Sequence, residues 1–213
     1  MSFSKPAKDF FVVIDLHKEP AIGLTKVTEA NKLLPISALT NYLFQHKRII
    51  KINSVSYQIL DNEALVVYLL IHFFHHNFKG AHRMTFIDNL IRNNKINWKE
   101  AEKIIDSLRL RGFIYPCILL LQKYHQTPFP KRFLEANKPG FVAEGFSKIV
   151  VLKTFPFDSS GREIEGAKRF IYLLFFSSNS LLTKFRVIFS KETLAYFFLT
   201  ISSLFSRILK NSS

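Results

Sequence analysis

Four of the seven histidines in this chain lie within sixteen residues, in the stretch LLIHFFHHNFKGAHRM at positions 69–84. His72 and His76 are four residues apart, so on a helix they share one face and could chelate a metal ion. Phenylalanine rather than glutamate follows the first of the pair, so the HExxH pattern of zinc proteases is absent. A third ligand could be Asp88 or His82, across the turn at Gly80. The spacing therefore leaves a metal-dependent hydrolase open without establishing it.

A structural role is the simpler interpretation of the same pair. His72 and His76 continue a stripe of leucines at helical spacing, which predicts that both are half-buried. Buried polar groups need hydrogen-bond partners, and Asp88 or a helix end would provide them. On this interpretation His75 and His82 are exposed. The remaining alternative is a position at the edge of a substrate cleft.

One carboxylate is placed where a strand would hold it rigidly. Residues 8–17, KDFFVVIDLH, read as a strand with a continuous apolar run, which is typical of burial on both faces. Asp15 ends this run, and a carboxylate at a strand end is a plausible Mg²⁺ ligand. The alternative is that Asp15 caps the next segment or pairs with a lysine, and the residues alone favour that alternative.

Several signatures of common enzyme classes are missing from the sequence. It has no GxGxxG or GxxxxGK loop, no GxSxG, no CxxC and no DxD pair. Cys117 lies in an apolar helical stretch, which predicts a core residue and not a nucleophile. A single cysteine also excludes an internal disulfide, and this favours a reducing, cytoplasmic location.

Composition allows a sizeable core and a basic surface. Of 213 residues 48% are hydrophobic, and 30 Lys and Arg against 16 Asp and Glu give a net charge of +14. The excess is spread over the whole chain, so no basic tail marks a polyanion site. The longest uncharged apolar run, residues 194–206, is too short to span a membrane but could lie on one. A non-catalytic helical protein that binds nucleic acid, an anionic membrane surface or a protein partner is therefore one functional class.

The elements that position these residues change in kind near residue 60. Residues 24–47 are predicted to be helical with a break at Pro35, and RIIKI at 48–52 and VSYQIL at 55–60 form a hairpin around Asn53-Ser54. The remainder has helical periodicity. The prediction is an α+β chain, with a partial α/β segment over 1–60 and a helical domain over 61–213, itself divided into 61–130 and a helical tail, 131–213.

Local signals predict where several helices begin and end. Asp61 is expected to cap a helix that reaches about residue 78 and stops at Gly80. Asn97 and Glu100 form a capping-box-like pair at the start of a helix that ends at Gly112. Pro116 is expected in the first turn of the next helix. The other predicted helices cover about 84–93, 114–125, 131–153, 164–176 and 190–210, with a loop at 156–162.

The ordered set of these segments resembles a known family. The resemblance is to the uncharacterised nucleotidyltransferase-like family of the DNA polymerase β superfamily, over about residues 10–130. The segments that carry it are VVIDLHKEP (12–20), the hairpin with the helix DNEALVVYLLIHFFHH (48–76), RMTFIDNL (83–90), INWKEAEKIIDSLRLRGF (96–113) and LLLQKYHQTPFP (119–130). The paired positions are Asp15 with His17, His72 with His76, Arg83 with Asp88, and Asn97 with Trp98.

The resemblance implies a chemistry and a set of site residues. Members of the superfamily transfer a nucleoside monophosphate from a nucleoside triphosphate to an acceptor, using Mg²⁺ ions held by three carboxylates. Asp15 would match the third carboxylate and would be both a catalytic residue and a metal ligand. His17, His72, His76 and Arg83 would border the substrate cleft, together with Asp88. The acceptor is unknown.

The chain departs from the family pattern at its front. A Gly-Gly or Gly-Ser turn and an Asp-x-Asp strand should precede the strand that carries Asp15, and residues 1–213 contain neither. The expectation is therefore a C-terminal, truncated portion that is inactive alone. An N-terminal partner polypeptide would have to supply the missing carboxylates.

Overall fold

The computed structural model describes residues 2–7, 10–15, 27–156 and 165–198, and its architecture is α+β, as the sequence predicts. Four strands form two separate two-stranded sheets: β1 (Ser2–Ala7), β2 (Phe10–Asp15), β3 (Lys47–Ile52) and β4 (Val55–Leu60). The first helices are α1 (Thr28–Asn31), α2 (Ile36–Gln45), α3 (Asn62–His75), α4 (Ala81–Asn93) and α5 (Trp98–Ser107). They are followed by α6 (Arg111–His125), α7 (Lys131–Ala136), α8 (Phe141–Lys153), α9 (Glu165–Phe176) and α10 (Leu181–Ile188).

The first hairpin contains the strand predicted near the N-terminus. β2 pairs antiparallel with β1 in a register that sets Ser2 opposite Asp15 and Ala7 opposite Phe10. The sequence did not indicate β1, because Pro6 removes a ladder donor; an edge strand tolerates this. The strand prediction for β2 is confirmed, whereas its burial on both faces stays a prediction.

The second hairpin forms as predicted. β3 and β4 pair antiparallel from Lys47 opposite Leu60 to Ile52 opposite Val55. Asn53 has φ 48° and Ser54 has φ 66°, the pair of left-handed residues that a type I′ turn requires. The hairpin leads directly into the helix that carries the histidines.

Helix α3 is the centre of the helical part of the chain. The Asp61 side chain caps it by accepting a hydrogen bond of 2.7 Å from the Ala64 N–H, as predicted. Its fully buried residues pack against α4, α5 and α6. Burial of these apolar side chains fixes the helix in place, so the opposite face, which carries the histidines, has a defined position.

Helix α5 is capped partly by its own residues and partly by α3. Asn97 accepts from the Glu100 N–H at 3.3 Å, but its own N–H donates to Glu63 Oε1 at 2.7 Å. The predicted capping box is therefore completed by a residue of α3. The predicted end at Gly112 is wrong, because Arg109 adopts a left-handed φ of 55° and closes the helix earlier.

Gly112 lies inside α6 and allows a close contact between helices. A Cβ at this position would lie 2.0 Å from the carbonyl oxygen of Phe176, at the end of α9. Pro116 lies in the second turn of α6 and not in the first, because the helix begins three residues before the predicted start. The contact of Gly112 comes from a segment far away in the sequence.

The C-terminal helices differ in their boundaries from the prediction. The predicted helix over 131–153 is two helices, α7 and α8, separated around Pro139 and Gly140. The predicted helix over 164–176 is confirmed as α9. Helix α10 was not predicted; residues 191–198 are helical as predicted, and residues 199–213 lie outside the described residues. The predicted loop at 156–162 lies outside them from residue 157 on.

An aromatic cluster joins helices from both parts of the chain. Phe74 of α3, Phe113 of α6 and Phe176 of α9 have ring centroids 5.1 to 6.4 Å apart. Phe146 of α8 lies 5.2 Å from Phe176, and Phe78 lies 6.4 Å from it. One continuous set of buried residues thus runs from before residue 60 to beyond residue 130. The domain boundaries at these two positions stay predictions.

Cys117 is a core residue, as predicted. It is fully buried, and its Sγ donates to the carbonyl oxygen of Leu70 at 3.2 Å. Burial raises the pKa of its thiol well above the ordinary value. In the described part of the chain, no helix has the length and apolar character that crossing a membrane requires.

Candidate functional site

Three histidines form a cluster at the C-terminal end of α3. The ring centroids of His72 and His76 are 4.6 Å apart, and His75 lies 6.1 Å from the first and 5.1 Å from the second. All three are half-buried. This was expected for His72 and His76, but the expectation that His75 is exposed is wrong. Tyr68, one turn earlier, places its ring 5.7 Å from His72. The cluster therefore has a rigid base on one helix.

A left-handed turn follows the cluster and returns the chain towards it. Asn77 and Phe78 have φ values of 53° and 61°, and the buried Phe78 ring packs on Phe74 at 5.8 Å. Gly80 has φ 98° and donates its N–H to the carbonyl oxygen of Pro156 at 2.9 Å. The stop predicted at Gly80 is thus part of a tertiary contact, and helix α4 begins directly after it.

The turn brings Arg83 to the histidine cluster. Its guanidinium passes so close to Gly80 that a Cβ there would lie 2.3 Å from Nη1, and the same nitrogen donates to the carbonyl oxygen of Lys79 at 3.3 Å. Arg169 of α9 reaches the same region and donates through Nε to Asn77 Oδ1 at 3.3 Å. Both guanidinium groups lie near enough to His76 to act on it electrostatically.

The electrostatics of the cluster keep His76 neutral. Burial, followed by the positive charge of Arg83 and by the neighbouring His72 and His75, lowers the pKa of His76 from 6.5 to about 3, and Arg169 adds to the effect. Burial also lowers the pKa of Arg83, which is far too basic to lose its proton. At neutral pH the guanidinium groups of Arg83 and Arg169 thus lie near an uncharged His76, which suits an anionic ligand.

Asp88 does not belong to this cluster. Both of its carboxylate oxygens accept from Arg92 Nε, at 3.0 and 2.9 Å, and Oδ1 also accepts from Thr127 Oγ1 at 2.8 Å. His125 Nδ1 lies 3.9 Å from Oδ2. This network ties α4 to the end of α6, so Asp88 is not the hydrogen-bond partner of the histidine pair, one of the two alternatives that the sequence left open. Its place at the edge of a substrate cleft stays a prediction.

The described residues do not form a metal site. They contain no group of three His, Cys, Asp or Glu side chains that could hold an ion. His82 is exposed, as predicted, and it does not complete a site with His72 and His76. A hydrolase built on the histidine pair and Asp88 is therefore not supported by the arrangement.

The N-terminal site residues are placed only by their strand. Asp15 is the last residue of β2, so its position at a strand end agrees with the sequence prediction. His17 lies outside the described residues. Their roles as metal ligand and cleft residue stay predictions.

Two residues, one in the cluster and one near it, were not singled out from the sequence as site residues. His75 is three residues from His72, and this helical spacing could have placed it beside the pair. Arg169 is 92 residues from Asn77, the residue it contacts. No local pattern marks such a residue, because only the packing of α9 against the turn brings it to the cluster.

Comparison with protein families identifies the class to which this α+β chain belongs. The model of a family described as uncharacterised nucleotidyltransferase matches residues 3–126. The match covers more than half of the chain and includes Asp15, the histidine cluster and Arg83. The chain belongs to this uncharacterised nucleotidyltransferase family. No curated protein and no solved structure matches it.

Proposed function

We propose that this protein takes part in the transfer of a nucleoside monophosphate from a nucleoside triphosphate to an acceptor. The family match over residues 3–126 carries this proposal. The finer placement in the DNA polymerase β superfamily belongs to the proposal and rests on the order of the motifs around Asp15, His72, His76 and Arg83. In such a reaction the acceptor oxygen attacks the α-phosphorus, the bond to the bridging oxygen breaks, and pyrophosphate leaves.

The cluster would bind negatively charged groups of the nucleotide. Arg83 and Arg169 supply charge-assisted hydrogen bonds of the kind that phosphate oxygens accept. His76 remains neutral at physiological pH. Its imidazole can therefore donate one hydrogen bond to the nucleotide but adds no positive charge. Binding and orientation of the triphosphate is the role that this arrangement supports.

Mg²⁺ enters the proposal through Asp15 alone. The described residues lack a complete set of ligands, and the Asp-x-Asp pair is absent from residues 1–213. We propose that Asp15 is one ligand, and that carboxylates from a polypeptide outside this sequence complete the site. The chain is accordingly expected to bind nucleotide without catalysing transfer by itself.

Nucleotide binding tests the proposal directly. Each of the four ribonucleoside triphosphates is titrated by calorimetry with and without Mg²⁺. We expect one or more to bind, and Arg83→Gln to weaken that binding roughly tenfold, which corresponds to one lost charge-assisted hydrogen bond. Lys95→Gln, which removes an exposed charge elsewhere, is the control. If no triphosphate binds, or if both variants behave alike, the proposal fails.

Asp15 requires a separate experiment. If a partner polypeptide that restores the site is found, Asp15→Ala should abolish the Mg²⁺-dependent part of nucleotide binding in the reconstituted complex. Binding that remains equally dependent on Mg²⁺ would exclude Asp15 as a ligand.

A further inference from the structure

A second candidate site lies away from the histidine cluster. A cleft of about 790 Å³ opens where the turn between α5 and α6 meets the first turns of α8 and α10 and the end of α9. This volume is within the range of ligand-binding sites. None of the described residues that line it belongs to the histidine cluster.

The cleft is strongly cationic. Four basic side chains line it, Arg109, Arg111, Lys138 and Lys184, against the single carboxylate of Asp106. That carboxylate is already engaged, because both of its oxygens accept from Arg111 at 2.5 and 2.8 Å. Three positive charges of the cleft are therefore left without a neutralising carboxylate among its lining residues.

The three remaining cations form no ion pair with any residue that the structure describes. Within the described residues, Arg109, Lys138 and Lys184 have no carboxylate within salt-bridge distance. Lys184 is partly buried, and this burial lowers the pKa of its ammonium group. A partly buried cation without a counter-ion is costly, and a bound anion would offset that cost.

The start of α8 adds to the positive potential. This helix has thirteen residues and begins at the cleft with Gly140 as its N-cap, so no side chain caps its first N–H groups. The N-terminal end of a helix carries a partial positive charge and favours anions. The cations and the helix end thus converge on one cavity.

An apolar rim borders the cationic cleft. It consists of Phe141, Val142, Leu181 and Phe185, whose exposed fractions are 91%, 65%, 73% and 54%. Val142 and Leu181 line both the main cleft and an adjoining apolar depression that contains Phe185, so the rim is continuous. Contiguous exposed apolar side chains of this size mark an interaction surface. Cations beside such a rim suit a partner that presents phosphate next to hydrocarbon.

Arg109 occupies a backbone position that glycine would fill more favourably. Its φ of 55° is left-handed, and the following N–H, from Leu110, bonds to the carbonyl oxygen of Ile105 as in a Schellman motif. A side chain in this conformation costs free energy that glycine would not, so folding alone would favour glycine at position 109.

We propose that this cleft and its rim bind the surface of a membrane that contains anionic phospholipid. The headgroup phosphate would be held by Arg109, Lys138 and Lys184, and the rim side chains would enter the adjacent hydrocarbon boundary. The charge complementarity of the cleft and the apolar character of its border select this partner. The proposal is independent of nucleotidyl transfer.

Vesicle binding tests the cationic part of the site. The full chain is sedimented with vesicles of phosphatidylglycerol mixed with phosphatidylcholine, and with vesicles of phosphatidylcholine alone. We expect binding only to the anionic vesicles, and a loss of roughly tenfold or more in affinity for Lys138→Gln with Lys184→Gln. The control is Lys51→Gln with Lys95→Gln, two exposed lysines that do not line the cleft. Equal losses in both pairs would mean general charge attraction and would overturn the proposal.

The apolar rim is tested in the same assay. Phe141→Ser with Leu181→Ser should weaken binding roughly tenfold, because two exposed apolar side chains no longer enter the membrane. The matched control is Ile49→Ser with Ile52→Ser, which replaces exposed side chains of the β3–β4 hairpin. If the variant with both rim substitutions binds anionic vesicles as tightly as the control variant, the proposal is contradicted.

Arg109→Gly separates binding from folding. Glycine suits the left-handed position, so this variant should unfold at an equal or higher urea concentration while it binds anionic vesicles several-fold more weakly. Unchanged vesicle binding would remove Arg109 from the site.

Soluble phosphate esters distinguish the source of the phosphate. Glycerol 3-phosphate and AMP are titrated in the absence of vesicles. If either binds and Lys138→Gln with Lys184→Gln abolishes it, while vesicles do not bind, the cleft is a small-molecule site and the membrane proposal is wrong. If the membrane proposal fails in any of these experiments, the result expected for Arg83→Gln in the nucleotide assay does not change.

Discussion

The Asp88 carboxylate fastens α4 to the end of α6, and the strength of that connection can be measured. Asp88→Asn removes the charge that faces Arg92 and leaves one good acceptor for Thr127. We expect the free energy of unfolding at neutral pH to fall by about 1–2 kcal/mol, because Arg92 is partly exposed and solvent screens the pair. Urea denaturation checks this. Asp106→Asn, which breaks the more exposed pair with Arg111, should cost less than about 1 kcal/mol, and equal losses would refute the special role of Asp88.

The same carboxylate contributes a pH dependence of known sign. Burial alone would raise the pKa of Asp88, but hydrogen bonds from Arg92 and Thr127 outweigh it and hold the pKa below 3.8. Its stabilisation is therefore present above pH 3.8 and is lost as the pH falls through the lower folded value. The difference in stability between the wild type and Asp88→Asn should shrink over that range, and a constant difference would contradict the interpretation.

His76 acts on stability over a different pH range. Its pKa is about 3 in the folded protein and about 6.5 when unfolded, so acidification below 6.5 protonates the unfolded state first. The free energy of unfolding should fall as the pH drops from 6.5 towards 3, and His76→Gln should reduce this loss. Urea denaturation at several pH values checks the slope. His82→Gln, at an exposed histidine, is the control. If His76→Gln has the wild-type slope of unfolding free energy against pH, His76 is not buried as a neutral group.

The geometry of α4 explains which site residues the sequence could place. Arg83 is the third residue of the helix, next to the turn at Gly80, so it reaches the histidines. Asp88 is five residues further on, which is about 7.5 Å along the helix axis. The sequence spacing linked His72 with His76, whereas Arg83 joined them only through the family resemblance, and the axis of α4 was not in the sequence pattern. Asp88 was therefore assigned to the wrong neighbours.

Helix α6 depends on a glycine for its contact with α9. Gly112→Ala places a Cβ against the Phe176 backbone, which cannot move as a side-chain end would, so we expect a loss of about 1–3 kcal/mol or more. Gly145→Ala in α8 is the matched control, since its Cβ meets nothing within 4 Å and alanine is the better helix former. It should gain about 0.5–1 kcal/mol. Thermal unfolding of both variants measures the contrast, and a neutral Gly112→Ala would mean that the two helices separate easily.

The elements that the sequence predicted are those fixed by neighbours in the chain. Asp61 caps α3 through an N–H three residues away, and Asn53-Ser54 sets the hairpin by its own dihedral angles. The start of α6 and the whole of α10 were missed. Gly112 looked like a helix end, because its contact with Phe176 comes from a segment 64 residues later. Such contacts leave no periodic signal in the sequence.

The whole molecule is expected to unfold as one unit, because aromatic rings connect its early and late helices. Phe176 is 2% exposed and contacts rings from α3, α6 and α8, so Phe176→Ala should cost about 3–5 kcal/mol. The single tryptophan, Trp98, lies on α5, with its ring 4.6 Å from that of Phe133. Its fluorescence should therefore report the same shifted midpoint as circular dichroism.

Phe189→Ala provides the comparison for this experiment. The side chain is 67% exposed, so its removal should change the free energy of unfolding by less than about 0.5 kcal/mol. If Phe176→Ala lowered the midpoint seen by circular dichroism while Trp98 fluorescence kept its own, the helices beyond residue 130 would unfold separately. The predicted division into a family-like part and a helical tail would then be a thermodynamic boundary.

The buried thiol of Cys117 gives this chain a native reporter of rare openings. It is the only cysteine, so a thiol-specific dye labels one position and needs no engineered substitution. It lies fully buried on α6 against α3, so a dye can react only with molecules whose centre has transiently come apart. The labelling rate under native conditions, divided by the rate for a free thiol, therefore measures the fraction of molecules open at any moment. A ligand bound at the histidine cluster or at the cationic cleft should slow this labelling, whatever its chemistry, because it binds only the closed form.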